Sequence, residues 1–317
     1  MQQYDAATGE PSQALPNSTS EVISIAYSPD GCQIAIFAKS DDIRIYNTKE
    51  GTTNYSHHGH AEIVTSAAFS PCGQWIATGS MDKTVRLWET QSGILVKILR
   101  GHDITVAAVI FSLIRGEIAS ASPDGTIRLW AVGANDRHTV LCSESCRITN
   151  IAFSPDGQQI ATIDPFNSVR LLSVRTKECH HTLLDVCEAE YVAYSSCGEW
   201  IATAGKQWAR LWNYTPDPGL QEWRSVTVID GFVANITGIA WRPHALELAT
   251  TCLDGSIRVW KVQKDLNEVV VQLLWSFGSS VLNASGAMIT DVVGLDTISR
   301  RFLKQRGAID GSTLTDE

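Results

Sequence analysis

A histidine, a serine and an aspartate fall close together in the sequence, at His102, Ser120 and Asp124. In serine hydrolases such a set activates the serine hydroxyl, because the histidine removes its proton and the aspartate orients the histidine. The same spacing recurs 42 residues upstream, with threonine in place of serine. A catalytic site has no reason to occur twice at one spacing, whereas a hydrogen-bond network in a repeated structural unit does. The arrangement therefore favours a structural role over catalysis.

Aromatic residues mark a repeat of 42 residues along the chain. The regular members are Tyr46, Trp88, Trp130 and Leu172. Two more tryptophans continue the series at intervals of 40 and 48, and they are Trp212 and Trp260. Tyr4 lies one period before Tyr46, and Phe302 lies one period after Trp260. A fixed period of this length indicates one structural unit copied several times.

Each unit is predicted to contain four short strands. In the second unit they run from Val64 to Phe69, Trp75 to Ser80, Thr84 to Trp88 and Ile94 to Leu99. Turn-forming residues separate them, as in the Ser-Pro-Cys-Gly segment at 70–73, where proline fixes one φ and glycine can adopt a positive φ. Short strands with turns at this spacing predict an all-β propeller or sandwich.

Pairs of residues within the repeats resemble the WD-repeat β-propeller family. The pairs are Gly59-His60 with Trp88-Glu89, and Gly101-His102 with Trp130-Ala131. The turn at 5–10, Asp-Ala-Ala-Thr-Gly-Glu, is similar to propellers attached to NACHT-type signalling ATPases. The resemblance covers residues 1–294. It implies about seven four-stranded blades, the last one degenerate and completed by an N-terminal strand at 12–15.

The family resemblance also implies a buried hydrogen-bond network in two blades. Its members are His60, Thr78, Asp82 and Trp88 in one repeat, and His102, Ser120, Asp124 and Trp130 in the next. Other repeats lack parts of it: Leu172 replaces the tryptophan, Lys206 the aspartate and Phe232 the histidine. An unpaired buried polar group costs about 1–3 kcal/mol. We therefore expect the incomplete blades to depend on apolar packing.

The C-terminal region has two interpretations. In register with the repeats, Leu282 to Phe302 is a degenerate seventh blade. Alternatively, the propeller ends near residue 294, and residues 295–317 hold a short helix and a mobile tail. Asp296 or Thr297 could cap that helix, and four basic residues precede Gly307. We favour the helix.

The amino-acid composition limits the classes of binding partner that we expect. The 317 residues carry a net charge of −9, which disfavours binding to phosphate backbones, so we expect no nucleic-acid partner. No stretch approaches the roughly 20 apolar residues of a membrane span, and we expect no membrane association. The sequence predicts no cofactor and no metal site. Without a recognisable secretory signal, we expect the eight cysteines to be reduced thiols in the cytoplasm. The nucleus is the alternative location.

Other proteins are the expected partners, since loops on a rigid scaffold are common binding elements. The candidate partner-binding residues lie in loops of one propeller rim: Glu62, Met81, Asp103, Pro123, Glu188, Gln207, Trp208, Asn235 and Leu253. Trp208 is the first choice, because tryptophan is frequent at interface hot spots. An equally weighted interpretation places Trp208 in the core of a blade that lacks the aspartate turn.

Three functions remain in order of preference. The first is a non-enzymatic protein–protein interaction scaffold that uses its rim loops. The second is the sensor or ligand-recognition portion of a larger NACHT-type signalling protein, of which this chain would be a fragment. The third is a hydrolase with a site in the central channel. It would need a nucleophile and a base that the buried hydrogen-bond networks do not already use.

Overall fold

The computed structural model shows a protein built from β-strands. It describes residues 2–4, 11–14, 22–38, 43–50, 53–57, 59–132, 138–143, 147–164, 168–184, 188–217, 220–264 and 269–277. These residues form 26 strands and contain no helix. Twenty-four of the strands belong to six antiparallel sheets of four strands each, and every sheet uses four consecutive strands in sequence order. Each sheet is therefore one blade.

The first three blades end at residue 143. A two-stranded sheet precedes them, made of β1 (Gln2–Tyr4) and β2 (Pro11–Ala14). Blade one contains β3 (Val22–Tyr27), β4 (Gln33–Ala38), β5 (Ile43–Asn47) and β6 (Thr53–His57). Blade two contains β7 (Val64–Phe69), β8 (Trp75–Ser80), β9 (Thr84–Glu89) and β10 (Leu95–Arg100). Blade three contains β11 (Ala108–Phe111), β12 (Glu117–Ala121), β13 (Thr126–Ala131) and β14 (His138–Ser143).

The last three blades follow the same order. Blade four contains β15 (Asn150–Phe153), β16 (Gln159–Ile163), β17 (Ser168–Ser173) and β18 (Cys179–Leu184). Blade five contains β19 (Tyr191–Tyr194), β20 (Trp200–Gly205), β21 (Trp208–Asp217) and β22 (Leu220–Ile229). Blade six contains β23 (Ile236–Trp241), β24 (Glu247–Cys252), β25 (Ile257–Lys264) and β26 (Val269–Phe277).

The blades form where alternating apolar strands meet turn residues. In blade two, Gly73 has a φ of +71°, a conformation that glycine adopts without steric cost. The Ser70 hydroxyl accepts a hydrogen bond from the Trp75 backbone N–H at 3.0 Å, which fixes the start of β8. The next two strands, β8 and β9, are buried almost throughout, with Ile76 and Val85 at 0% exposure. The hydrogen bond between Ser70 and Trp75, at the two ends of the turn, thus fixes the pairing register of β7 and β8.

The hydrophobic core lies mainly between blades. The first strand of each blade packs against the first strand of the next, from β3 through β7, β11, β15 and β19 to β23. One cluster joins Ala77 and Leu87 of blade two to Val109, Phe111 and Trp130 of blade three. Because each interface buries side chains from two sheets, each blade depends on its neighbours for stability, as in other repeat proteins.

Antiparallel strand order divides the loops between two faces. Connections from a fourth strand to the next first strand share a face with the turns between second and third strands; we call this the network face. The turns between first and second strands, such as residues 28–33 and 70–75, lie on the opposite face with the turns between third and fourth strands. We call that side the proline-turn face.

The expected all-β propeller is confirmed, but the expected blade number is in part wrong. Six four-stranded blades, and not about seven, are present in the part of the chain that the structure describes. The N-terminal segment does form a strand, β2, yet it pairs with β1 alone. The repeat period counts units along the sequence, whereas a blade requires four strands to pair. The degenerate blade at 282–302 and the helix and tail at 295–317 lie outside the described residues.

Candidate binding face and the networks beneath it

The four predicted residues of blade two meet in a chain of hydrogen bonds. The Trp88 Nε1–H donates to the Thr78 hydroxyl at 2.9 Å, and this hydroxyl lies 2.7 Å from His60 Nε2. Since the Thr78 oxygen accepts from tryptophan, its own proton goes to the histidine. His60 Nδ1 lies 2.8 Å from Asp82 Oδ2 and therefore carries the single N–H proton of the imidazole, which it donates to the carboxylate. The chain fixes one neutral tautomer of His60.

Blade three repeats the chain with serine. Trp130 Nε1–H donates to Ser120 Oγ at 2.8 Å, Ser120 Oγ lies 2.7 Å from His102 Nε2, and His102 Nδ1 lies 3.0 Å from Asp124 Oδ2. Burial lowers the pKa of His102, although the hydrogen bond to Asp124 opposes this effect. The imidazole is therefore neutral near neutral pH. This agrees with the hydrogen bonds, in which Nε2 accepts from Ser120 and Nδ1–H donates to Asp124.

Both aspartates are held ionised. Burial alone would raise the pKa of Asp82, but hydrogen bonds from Thr84 and His60 outweigh it and lower the pKa to about 2. Burial also opposes ionisation of Asp124, and hydrogen bonds led by the Thr126 hydroxyl and the Asp103 N–H lower its pKa to about 2. Each carboxylate thus joins a turn, a loop and a histidine.

The geometry around Ser120 resembles a hydrolase triad but lacks access. The Ser–His Nε2 and His Nδ1–Asp contacts have the distances that nucleophilic serine requires. Ser120, however, is 0% exposed, and its oxygen already accepts the Trp130 N–H. A substrate carbonyl cannot reach it without displacing the core. The same arrangement with Thr78 in blade two fits a structural network.

Sequence reasoning missed the threonine two positions after each aspartate. The Thr84 hydroxyl donates to Asp82 Oδ1, and the Thr126 hydroxyl donates to Asp124 Oδ1, both at 2.6 Å. Arg86 adds a 3.3 Å contact to Asp82 Oδ2. The signal was available, because the Asp-x-Thr spacing is identical in the two repeats. Each turn is closed by its own aspartate and threonine.

Later blades keep only part of the network. Trp212 and Trp260 still donate to Thr203 at 3.1 Å and Thr250 at 3.0 Å. Phe232, which stands in the histidine position, packs edge to face against Trp260 at 5.8 Å between ring centroids. Leu172 of blade four is buried within an apolar cluster. Apolar contacts thus replace parts of the hydrogen-bond chain where histidine or tryptophan is missing.

The candidate partner-binding residues all lie on the network face. Met81, Trp208 and Leu253 are large apolar side chains with exposed fractions of 45%, 43% and 74%. Pro123 is only half-buried. The remaining polar candidates are exposed: Glu62, Asp103, Glu188, Gln207 and Asn235. Trp208 begins β21, and its exposed fraction shows that it is only partly packed into its blade.

Trp208, Val233 and Leu253 form what we call the apolar patch. Val233, which sequence reasoning missed, is 67% exposed in the loop between blades five and six. The Gln207 side-chain amide donates to the Val233 carbonyl at 3.1 Å, and the Leu253 N–H donates to the Asn235 carbonyl at 2.8 Å. These bonds connect the loop to the turns of both blades. A single isolated valine in a loop gives no repeat signal, which explains the omission.

The charge around the apolar patch is negative. Among the described residues of the adjoining loops, the exposed carboxylates are Glu188, Glu190 and Asp230. The exposed amine is that of Lys206, which forms an ion pair with Glu188. Both partners of this pair are about half exposed, at 52% and 50%, so solvent screens the pair strongly. A binding partner would meet an apolar centre with an acidic border.

Comparison with known families matches the blades to one family. The sequence profile described as "IFT122 first beta-propeller" matches residues 21–219, which is more than half of the chain. The chain belongs to this family. A second profile, "WD domain, G-beta repeat", matches residues 223–261, which begin in β22 and include β23, β24 and most of β25. A comparison with curated proteins gave no match.

Membership places the chain among WD-repeat propellers, which generally act as non-enzymatic scaffolds for protein interaction. Within the described residues, no helix has the length and apolar character that a membrane span requires. The same part of the chain contains no cluster of three or more histidine, cysteine, aspartate or glutamate side chains arranged to bind a metal ion.

Proposed function

We propose that the protein is a non-enzymatic scaffold that binds another protein through its network face, with the apolar patch at the centre of the contact. The observation that carries the proposal is the exposure of three large apolar side chains, Trp208, Val233 and Leu253, in loops that hydrogen bonds join together. Exposed apolar side chains grouped in adjoining loops typically mark an interaction site.

The rigidity of the loops supports this function. The Ile236 N–H donates to the Lys206 carbonyl at 2.6 Å, so the turn of blade five is bonded to the first strand of blade six. Gly205 lies against the loop before β19: a Cβ there would be 2.0 Å from the Glu188 carbonyl oxygen. Loops already fixed in one arrangement lose little conformational entropy on binding.

The chemistry of the surface indicates the kind of partner. An apolar side chain of the partner would cover Trp208 and Leu253, while lysine or arginine residues beside it would face Glu190 and Asp230. Electrostatic complementarity of this kind mainly raises the association rate and the specificity. We therefore propose a partner segment that combines an apolar anchor with cationic neighbours.

The absence of catalysis is part of the proposal. The two Ser/Thr–His–Asp sets are buried beneath the network face, and each hydroxyl accepts a tryptophan N–H. Such networks support the turns that carry the binding loops, since Asp82 and Asp124 each accept a loop N–H, from Ala61 and Asp103. Their function is to position the surface above them.

Substitutions on opposite faces test the proposed contact. Leu253→Ser should remove a set of captured proteins from a quantitative pull-down, because it deletes the most exposed side chain of the apolar patch. Ile114→Ser is the matched control: Ile114 is also a highly exposed aliphatic residue, at 67% against 74% for Leu253, and it lies on the proline-turn face. Loss of one set of partners with both variants, or with neither, would reject the network face as the contact surface.

A further inference from the structure

A groove opens between the first two blades on the proline-turn face. Its volume is about 570 Å³, within the range of about 300–1,000 Å³ that small-molecule sites occupy. Three turns line it, one from blade one and two from blade two. The lining side chains that the argument uses are Asp30, Cys72 and Thr90.

The turn that precedes β4 stabilises the negative charge of its own aspartate, Asp30. The Ser28 hydroxyl donates to Asp30 Oδ1 at 2.6 Å, and the Cys32 N–H donates to the same oxygen at 3.0 Å. Those donors lower the pKa of Asp30, so its carboxylate is ionised. An exposed negative charge therefore lies at the groove wall.

Blade two places a cysteine in the position of that aspartate. Cys72 Sγ lies 3.3 Å from the Ser70 hydroxyl oxygen. This oxygen accepts the Trp75 N–H, so its own proton is available to the sulfur. The hydrogen bonds from Ser70 and from the Gln74 N–H lower the pKa of the Cys72 thiol. The thiolate is the reactive form of cysteine, and donors that stabilise it make the residue a candidate nucleophile.

Thr90 adds an unsatisfied polar group to the same groove. It is 2% exposed, and its hydroxyl has no hydrogen-bond partner among the residues that the structure describes. Its equivalent in blade one, Thr48, donates to the Gly31 carbonyl at 2.7 Å. A buried hydroxyl without a partner is unfavourable. A ligand acceptor in the groove would satisfy it.

Blade five provides a natural comparison. Cys197 lies beside Ser195, with 3.2 Å between sulfur and oxygen, in the same type of turn. Tyr214 occupies the position of Thr90, since each backbone N–H bonds the matching carbonyl of its blade. The Tyr214 ring packs against Trp223 at 5.4 Å between centroids. A large aromatic side chain thus stands where blade two has a small one.

We propose that Cys72 is a thiol-modification site whose groove accepts a small disulfide bearing an ammonium group. The Cys72 thiolate attacks one sulfur of the disulfide and forms a new S–S bond. The original S–S bond breaks, and the second sulfur leaves as a thiolate that takes a proton from water. The Asp30 carboxylate binds the ammonium group, and the Thr90 hydroxyl donates to a sulfur of the disulfide.

Cystamine and 2-hydroxyethyl disulfide test the site, because they have similar size and differ in charge. The full chain reacts with each at neutral pH, and mass spectrometry follows the adducts on Cys72, Cys197 and Cys179. Cystamine should modify Cys72 at least about tenfold faster than Cys197, because binding in the groove holds the disulfide beside the Cys72 sulfur. Asp30→Asn should slow the cystamine reaction at Cys72 about two- to fivefold and leave the reaction with 2-hydroxyethyl disulfide unchanged.

Two reciprocal variants separate the groove from the thiol. Thr90→Tyr copies blade five and should reduce the rate at Cys72 to that of Cys197. Tyr214→Thr should raise the rate at Cys197, and it keeps the test valid if the first variant melts early. Equal cystamine rates at Cys72 and Cys197 in the wild type would overturn the proposal. Equal slowing of both disulfides by Asp30→Asn would also overturn it.

Discussion

Trp88 and Leu172 occupy equivalent positions of the second and fourth blades, but they are held differently. The Trp88 ring is buried and donates to Thr78, whereas Leu172 has only apolar contacts. Trp88→Ala should cost about 3–5 kcal/mol of unfolding free energy, and Leu172→Ala should cost about 1 kcal/mol less. Thermal melting of both variants measures the difference. Equal shifts of Tm would contradict the network's contribution to stability.

Acid should weaken the protein in two steps. Burial lowers the pKa of His102, so the neutral imidazole favoured by the fold contributes stability above its ordinary pKa of about 6.5, and this is lost below that pH. The pKa values of Asp82 and Asp124 are lowered to about 2. Their contribution is present above about pH 4 and is lost as the pH falls toward about 2.

Urea unfolding measured from pH 7.5 to pH 3 checks both steps. The free energy of unfolding should begin to fall below about pH 6.5 and fall more steeply below about pH 4. His102→Gln should reduce the first step, since His138 also has a lowered pKa and remains, and it should keep the second, because Asp82 remains paired in the other blade. A free energy that stays constant over the whole range would contradict the proposed ionisation states.

The sequence allowed much of the network to be predicted, because spacing repeats it. The four positions in each blade follow from a 42-residue period and a family resemblance. Partners that only one blade uses could not be predicted in that way. Asp164, for example, accepts the Ser168 N–H at 3.1 Å and lies 3.5 Å from Arg170 in blade four. No other repeat has an aspartate six residues before its arginine, so the repeat gives no signal for this contact.

At the scale of strands and turns, Gly205 is the most constrained position. An added Cβ would lie 2.0 Å from the Glu188 carbonyl oxygen and 2.9 Å from its carbon, and backbone atoms cannot move aside as a side chain can. Gly205→Ala should therefore destabilise the protein by about 3 kcal/mol or more. Gly31→Ala is the control: its φ of +68° is strained for alanine, but nothing lies within 4 Å. It should cost about 1–2 kcal/mol.

Melting temperatures of the two glycine variants decide the point. A smaller loss for Gly205→Ala than for Gly31→Ala would mean that the loop at 188–190 moves aside freely. The rigidity argued for the apolar patch would then be wrong, since that loop adjoins the Lys206 turn through the Glu188 ion pair.

The strands themselves were well predicted where the turns are regular. The second unit matches to within one residue at each end, because its turns carry proline and glycine at the expected places. The long strands β21 and β22, of ten residues each, were not predicted. They extend past the period because Tyr214 and Trp223 pack together beyond the blade's usual length, which is a contact between strands that no local pattern indicates.

For the molecule as a whole, blades with complete hydrogen-bond networks should be better protected from amide hydrogen exchange than blades with incomplete ones. Blades two and three have complete chains of hydrogen bonds, whereas blade four has Leu172 in place of tryptophan. Repeat proteins open locally, and less stable units open more often. Amide hydrogens of β16 and β17 should therefore exchange faster than those of β8 and β9. Equal or reversed protection would show that the networks do not set blade stability.

The number of blades illustrates what a period cannot determine. Tyr4 and Phe302 continue the spacing on either side, and about seven units are predicted when the N-terminal strand is taken to complete the last blade. Pairing is a property of strands in space: β1 and β2 pair with each other, while the six full blades end with β26. The period reports copied sequence, and the hydrogen-bond ladders report which copies form complete sheets.

Site-specific photocrosslinking tests the central claim most directly, namely that the network face is where the protein binds its partner. A photoreactive residue at position 233, within the apolar patch, should trap a partner protein in a cell extract. The same residue at position 113, where Leu113 is 59% exposed on the proline-turn face, should not. Adducts at 113 with none at 233 would contradict the account.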